Sequence, residues 1–221
     1  MTTGRTIAFY FDFISPYAWL ALMAAERFAE RQGIRWRMRP VVYAALLQAD
    51  GAVGPAETPA KRRYTFRDIV RCARELELPF AGPPEHPFRS IEALRAMWLF
   101  RDDPAAPRLA AALADACWGQ GKPLTSLAVI EETVRSVGLE ADGLAERMSA
   151  AATKRGLEET TDEAIAAGLF GVPTFVVDRE LFWGHDRMPA LARRLSGEPA
   201  PEVDVDALLD RPYGVRRRGA P

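Results

Sequence analysis

The chain has 221 residues, 48% of them hydrophobic and 27% charged, which suits one globular domain, or one domain carrying a large insertion, and is too apolar for disorder. Lys and Arg number 29 and Asp and Glu 30, leaving a formal charge of −1, so no bulk attraction to nucleic acid is expected. Two cysteines and two histidines exclude a disulfide scaffold, a four-thiolate zinc site and a paired-histidine metal site.

Residues 6–13, Thr-Ile-Ala-Phe-Tyr-Phe-Asp-Phe, are rich in β-branched and aromatic types and predict a buried strand. Ser15-Pro16 then stops the strand and starts a helix, because serine is a favoured N-cap and proline at the first helical position has no N–H to waste. The helix is expected from Tyr17 to about Gln32, closed by Gly33, and a second strand over Ile34 to Met38 completes a parallel β-α-β unit. From 59 to 168 the pattern is helical throughout. Apolar spacings of three and four mark segments 59–77, 88–101, 105–118, 125–137, 141–151 and 153–167, separated by Gly- and Pro-rich breaks. Strand character returns at Val172-Pro173-Thr174-Phe175-Val176-Val177, with a turn at Asp178-Arg179-Glu180, a short strand at Leu181-Phe182-Trp183 and a last helix over 187–196. The plan is α/β: βαβ in 1–55, a helical insertion in 56–168, ββα in 169–197, and a loosely packed tail in 198–221 that ends in Arg216-Arg217-Arg218. No apolar run approaches the roughly 20 residues of a membrane span, and Asp12 breaks any secretory pattern, so a cytoplasmic protein without membrane contact is expected.

Three places carry chemistry. Ser15 caps a helix whose first N–H groups and macrodipole favour an anion, and a thiolate is such an anion; the same serine also reads as a plain structural cap. Val172-Pro173 at the start of a strand suits a cis bond that frees the main chain of Val172 for an extended peptide, or else an ordinary edge proline. Trp183-Gly184-His185-Asp186-Arg187 offers N–H groups, a carboxylate and a guanidinium to a zwitterion, or a simple cap at Asp186. A Ser15–His185–Asp186 hydrolase triad is not favoured, because adjacent His and Asp do not orient one another and the Gly-x-Ser-x-Gly elbow is missing. Cys72 and Cys117 read as small buried apolar residues.

Phe11-Asp12-Phe13-Ile14-Ser15-Pro16-Tyr17, Gly171-Val172-Pro173-Thr174-Phe175 and Trp183-Gly184-His185-Asp186-Arg187, with the helical block between them, resemble the 2-hydroxychromene-2-carboxylate isomerases. These are relatives of kappa-class glutathione transferases and, more distantly, of the disulfide oxidoreductase DsbA. The resemblance covers 6 to about 196. It implies a thioredoxin-like fold with a large all-helical insertion. Where the redox relatives carry Cys-x-x-Cys, this chain has Ser15-Pro16-Tyr17-Ala18, so a dithiol cycle cannot run there and the resemblance implies an external thiol, glutathione.

By that resemblance Ser15 is the catalytic residue, and Ser15, Val172, Pro173, Trp183, Gly184, His185 and Asp186 bind glutathione. The implied reaction is thiolate addition to the ring-opened chromene carboxylate, rotation about the former double bond, and elimination to trans-o-hydroxybenzylidenepyruvate. A homodimer, an aromatic carboxylate substrate and no bound metal go with it. The chain departs from the family on the substrate side: Ala52 follows Gly51 where relatives have Asn, and Leu47, Glu57 and Thr58 replace the Lys and Asn-Arg of naphthalene-pathway isomerases. Arg89, and after it Lys61, remain as expected partners of a substrate carboxylate. A kappa-type transferase or peroxidase and a non-catalytic thiol- or peptide-binding module are the alternatives.

Overall fold

A computed structural model describes residues 4–199 and 203–212. The chain opens with strand β1 (Thr6–Phe11), helix α1 (Pro16–Gln32) and strand β2 (Arg35–Pro40), and β1 and β2 run parallel from Thr6 opposite Arg35 to Phe11 opposite Pro40. Alternation decides the faces. Ile7, Phe9 and Phe11 of β1, with Trp36 and Met38 of β2, enter the main core, and Tyr10 points to the other side. Gly33 ends α1 in the left-handed conformation at φ 62°, its N–H returning to the carbonyls of Ala29 and Glu30.

Strand β3 (Thr174–Val177) lies antiparallel to β1, and β4 (Glu180–Trp183) antiparallel to β3, giving the order β2-β1-β3-β4. Asp178 and Arg179, both at positive φ, form the two-residue hairpin loop that matches strand twist. Asp178 is held by Arg5 and, at 3.2 Å, by Arg194, which keeps its carboxyl below the usual range.

Between β2 and β3 come α2 (Tyr43–Ala49), a single 3₁₀ turn (Pro55–Glu57), α3 (Pro59–Glu75), α4 (Ile91–Leu99), α5 (Ala106–Trp118), α6 (Leu127–Ser136), α7 (Leu144–Ser149) and α8 (Ala151–Ala166). After β4 follow a 3₁₀ turn (His185–Arg187), α9 (Met188–Leu195) and α10 (Val205–Leu209). The core is continuous from sheet to helices: Phe9, Phe11, Phe175 and Trp19 share one cluster with Leu94, Leu109, Leu113, Trp118, Ile130 and Leu157. A smaller cluster of Val41, Leu46, Ala164, Leu169 and Val172 fills the opposite face of the sheet under α2 and α8.

Several expectations shift. The first strand stops at Phe11 rather than Phe13, because the Asp12 carboxylate takes the N–H of Ile14 and bends the chain toward α1. The helix expected at 88–101 begins only at Ile91, after the cis His86–Pro87 bond. Helix α2 has no counterpart in the sequence reading. The stretch taken as a loose tail contains α10, capped by Asp204, whose carboxylate accepts the N–H of Ala207 at 2.9 Å. Arg216, Arg217 and Arg218 lie outside the described residues.

Candidate active site

Ser15 sits in extended backbone at φ −88° and ψ 117°, one residue before α1. Its Oγ accepts the N–H of Ala18 at 3.2 Å, so the cap is real. The hydroxyl donates in turn to the carbonyl oxygen of Val172, 3.3 Å away and 157 positions along the chain. The first turn of α1 carries no acidic residue, which leaves its N-terminal partial positive charge uncompensated.

Asp12 fixes this corner from below. It is 2% exposed, and its two oxygens accept the N–H of Ile14 at 3.1 Å and of Tyr43 at 2.9 Å. Burial pushes its carboxyl above the ordinary range, while hydrogen bonds from Ser90, Tyr43, Ile14 and Phe13 work the other way.

The Val172–Pro173 bond is cis. Ladder pairing of β3 begins at Thr174, so the N–H and C=O of Val172 stay outside the sheet's hydrogen bonds. The carbonyl of Pro173 accepts the N–H of Gly184 at 2.9 Å, tying this loop to the turn after β4. A β-carbon at Gly171 would come to 2.5 Å from the Trp183 indole nitrogen, so a larger residue there has to displace that half-exposed indole.

These elements enclose a cavity of about 930 Å³, at the large end of small-molecule sites and roomy enough for a tripeptide and a second small molecule. Ser15, Val172, Pro173, Trp183, Gly184, His185 and Asp186 all line it. Arg89 and Lys61 do not. Arg89 pairs with Glu92 at 2.9 Å one turn along and is largely exposed, and Lys61 lies on an exposed stretch of α3. Arg62, next to Lys61 and likewise exposed, borders the cavity instead. Leu47 and Glu57, two of the departures from the family, are also in its wall.

Sequence reasoning missed several wall residues. The ring of Tyr17 stacks on His185 with centroids 5.3 Å apart, and its hydroxyl donates to Asp68 at 2.8 Å. Burial, and then Asp68, drives the Tyr17 hydroxyl far above its usual range, so it stays protonated. His86 places Nε2 3.2 Å from the carbonyl of Ile14, which makes Nε2–H the donor and Nδ1 the bare nitrogen. Its ring stands edge-on to Phe66 and Trp118, at 5.3 and 5.4 Å. The signal was present in His86-Pro87, but nothing local tells that α3 and α5 will pack around it.

Cys72, half-buried, packs against the main core and also borders the cavity, and burial with Asp68 and Glu75 raises its thiol, so it is a poor nucleophile. Cys117 is buried and pushed up to about 12. Trp19 is fully buried and takes no part in the cavity wall.

Burial lowers both His86 and His185 below the usual 6.5, although Asp186, Asp68 and Glu75 oppose it at His185. The unfolded chain therefore takes up these protons first, and stability is lost as pH falls below about 6.5. Thermal melts between about pH 7 and 5.5 are expected to show a falling Tm. In His86→Gln/His185→Gln that slope flattens; an unchanged slope would remove the histidines as its source.

An N-capped first helix set against a cis-proline loop, at the end of the two central strands of a mixed sheet, is the site of a thioredoxin-type protein. The chain belongs to the DSBA-like thioredoxin domain family, whose description matches residues 6–196. It is 31% identical to a 2-hydroxychromene-2-carboxylate isomerase of Sphingobium xenophagum over 85% of this chain and 96% of that one. It is 25% identical to the human glutathione S-transferase kappa 1 over 86% of this chain and 91% of that protein. A solved 2-hydroxychromene-2-carboxylate isomerase superposes with a TM-score of 0.80 at 25% identity, over 87% of this chain and 95% of the other. The isomerase resemblance and the thioredoxin-like fold are thus borne out.

Proposed function

We propose that this protein is a glutathione-dependent isomerase of the 2-hydroxychromene-2-carboxylate type, acting on that compound or a related aromatic acid. The observation that carries the reading is Ser15: a hydroxyl at the start of α1, 3.3 Å from the carbonyl that precedes cis-Pro173, in a turn without cysteine.

The residues present fit a thiol tripeptide. The main chain of Val172, free of the sheet ladder, pairs with an extended backbone. The turn Gly184–Asp186, with Arg187 behind it, offers donors and a carboxylate to an amino-acid end. Bound glutathione supplies a thiolate that adds to and later leaves an unsaturated carbon. The chain's own part is to hold that sulfur ionised: the α1 terminus favours negative charge, and the Ser15 hydroxyl turns from Val172 to donate to it. Ile14, Tyr43, Leu47 and Phe66 give the ring an apolar wall. A cytoplasmic homodimer belongs to the same reading, and sedimentation tests its dimer.

A titration of reduced glutathione, followed by Trp183 fluorescence and thiolate absorbance near 240 nm, tests this. Saturation with a thiolate band that Ser15→Ala removes is the expected result. No saturation by about 10 mM, far into the weak-affinity range, would sink the proposal. Turnover of a chlorodinitroarene but not of the chromene carboxylate would instead make the protein a kappa-type transferase.

A further inference from the structure

We infer that Arg62 is the residue that recognises the substrate's carboxylate, and so sets the preference of this cavity for aromatic acids. The inference deepens the reading above and rests on it for the class of substrate. Arg62 and Arg187 are the two arginines among the cavity's lining residues, and Arg187 is engaged by Asp186 at 2.8 Å. Arg62 has no such partner. Arg62 is exposed, and among the described residues its guanidinium donates one bond, to the carbonyl of His86 at 2.6 Å, and pairs with no carboxylate.

The acidic side chains of the same wall are mostly committed elsewhere. Glu57 takes the N–H of Gly54, Asp68 takes the hydroxyls of Tyr17 and Tyr64, and Asp186 takes Arg187. Glu75 lies more than three turns further along α3 from Arg62, beside Cys72 and His185.

What surrounds Arg62 is aromatic. Its guanidinium lies 6.0 Å from the centroid of Phe66, and the ring of His86 meets Phe66 edge-on. A flat acid lying on that wall brings its carboxylate to a guanidinium that keeps free N–H donors in a fixed fork. Tethering one nitrogen to the His86 carbonyl aims the rest, and this is what Arg89 and Lys61 lack. The glycine carboxylate of glutathione is a second source of the same chemistry, and the experiment separates the two.

Trans-2-hydroxycinnamate, an unreactive aromatic acid, and its amide are titrated by calorimetry into wild type, Arg62→Met, Arg62→Lys and Arg63→Gln, with and without glutathione. Wild type is expected to bind the acid roughly 10- to 100-fold more tightly than the amide, the range for one hydrogen bond to a charged group. Arg62→Met brings the acid down to the amide and leaves glutathione affinity in place. Arg62→Lys keeps part of the preference, because an ammonium lacks the fork. Arg63→Gln, on the neighbour outside the cavity lining, changes neither. Equal binding of acid and amide by wild type overturns the assignment. So does an Arg62→Met that weakens glutathione, spares the acid and has no effect on γ-glutamylcysteine, which would give Arg62 to the glycine carboxylate. Loss of glutathione binding in wild type with the acid preference intact defeats the glutathione reading and leaves Arg62 where it is.

Discussion

Ser15→Ala is expected to lower turnover roughly 10- to 100-fold, the effect of removing one hydrogen bond to a charged atom. In the structure the hydroxyl has two partners, the Ala18 N–H and the Val172 carbonyl, and neither replaces a donor to the sulfur. Loss of the cap costs about 1 kcal/mol of stability, too little to unfold a chain of this size. The defect should therefore sit in the rate and in the thiol's ionisation, with the pH-rate profile displaced to higher pH as the thiolate loses its support. Ser15→Cys makes the sharper contrast. It puts a thiol at a helix N-terminus, where pKa values fall well below the usual 8.5, so iodoacetamide should label it near neutral pH. With Ala18 in place of a second cysteine, the new thiolate has no resolving partner in the turn, so when oxidised glutathione is supplied it is expected to attack that disulfide, release one reduced glutathione and stay trapped as the mixed disulfide. Full activity in Ser15→Ala would remove the serine from the chemistry.

Asp12→Ala is expected to be the most damaging single change to stability near the site. It strips the acceptor from the N–H groups of Ile14 and Tyr43, at about 1–3 kcal/mol for each buried donor left bare. Removing a buried carboxyl offsets part of that, for a net loss of about 3 kcal/mol and a drop in Tm of roughly 6–12 °C at this chain length. Asp12→Asn, which keeps one acceptor, should fall between the two. The loss should also reach function, because Ile14 leads into Ser15 and Tyr43 forms part of the cavity wall. Differential scanning calorimetry with a glutathione titration on each variant measures both, and a Tm within 2 °C of wild type in Asp12→Ala would contradict the account given about that scale for 1 kcal/mol or less.

The βαβ opening could be read from the sequence because its cues are local. Alternating aromatics, Ser15-Pro16 and Gly33 each state their own backbone geometry. Helix α2 could not: at seven residues it is too short for a periodicity, it has no capping side chain, and Asp12 and α8 position it from a distance. The cavity divides in the same way. Ser15, Val172 and the 183–186 turn stand out because each lies in a contiguous motif, whereas Asp68 reaches Tyr17, and His86 reaches Ile14, only when α3 and the loop after it fold over the start of α1. The exchange of Lys61 for Arg62 is the plainest case. One step along a helix turns a side chain by about 100°, and which of two adjacent exposed cations borders the cavity is decided by packing, not by composition.

The strand order β2-β1-β3-β4 places β1 between a neighbour 29 positions away and one that follows the whole helical block. The helices can collapse on contacts close in sequence, but the joining of β1 to β3 must wait for closure of that long intervening stretch. Until then Phe9 lacks Phe175 on one side, and Ser15 has no Val172 to face. During synthesis, the half of the cavity that emerges first stands incomplete until the last hairpin is made. The complete cavity therefore arrives at the end of folding, after the bulk of the helix has formed, and a chain that can fill it is one that has finished.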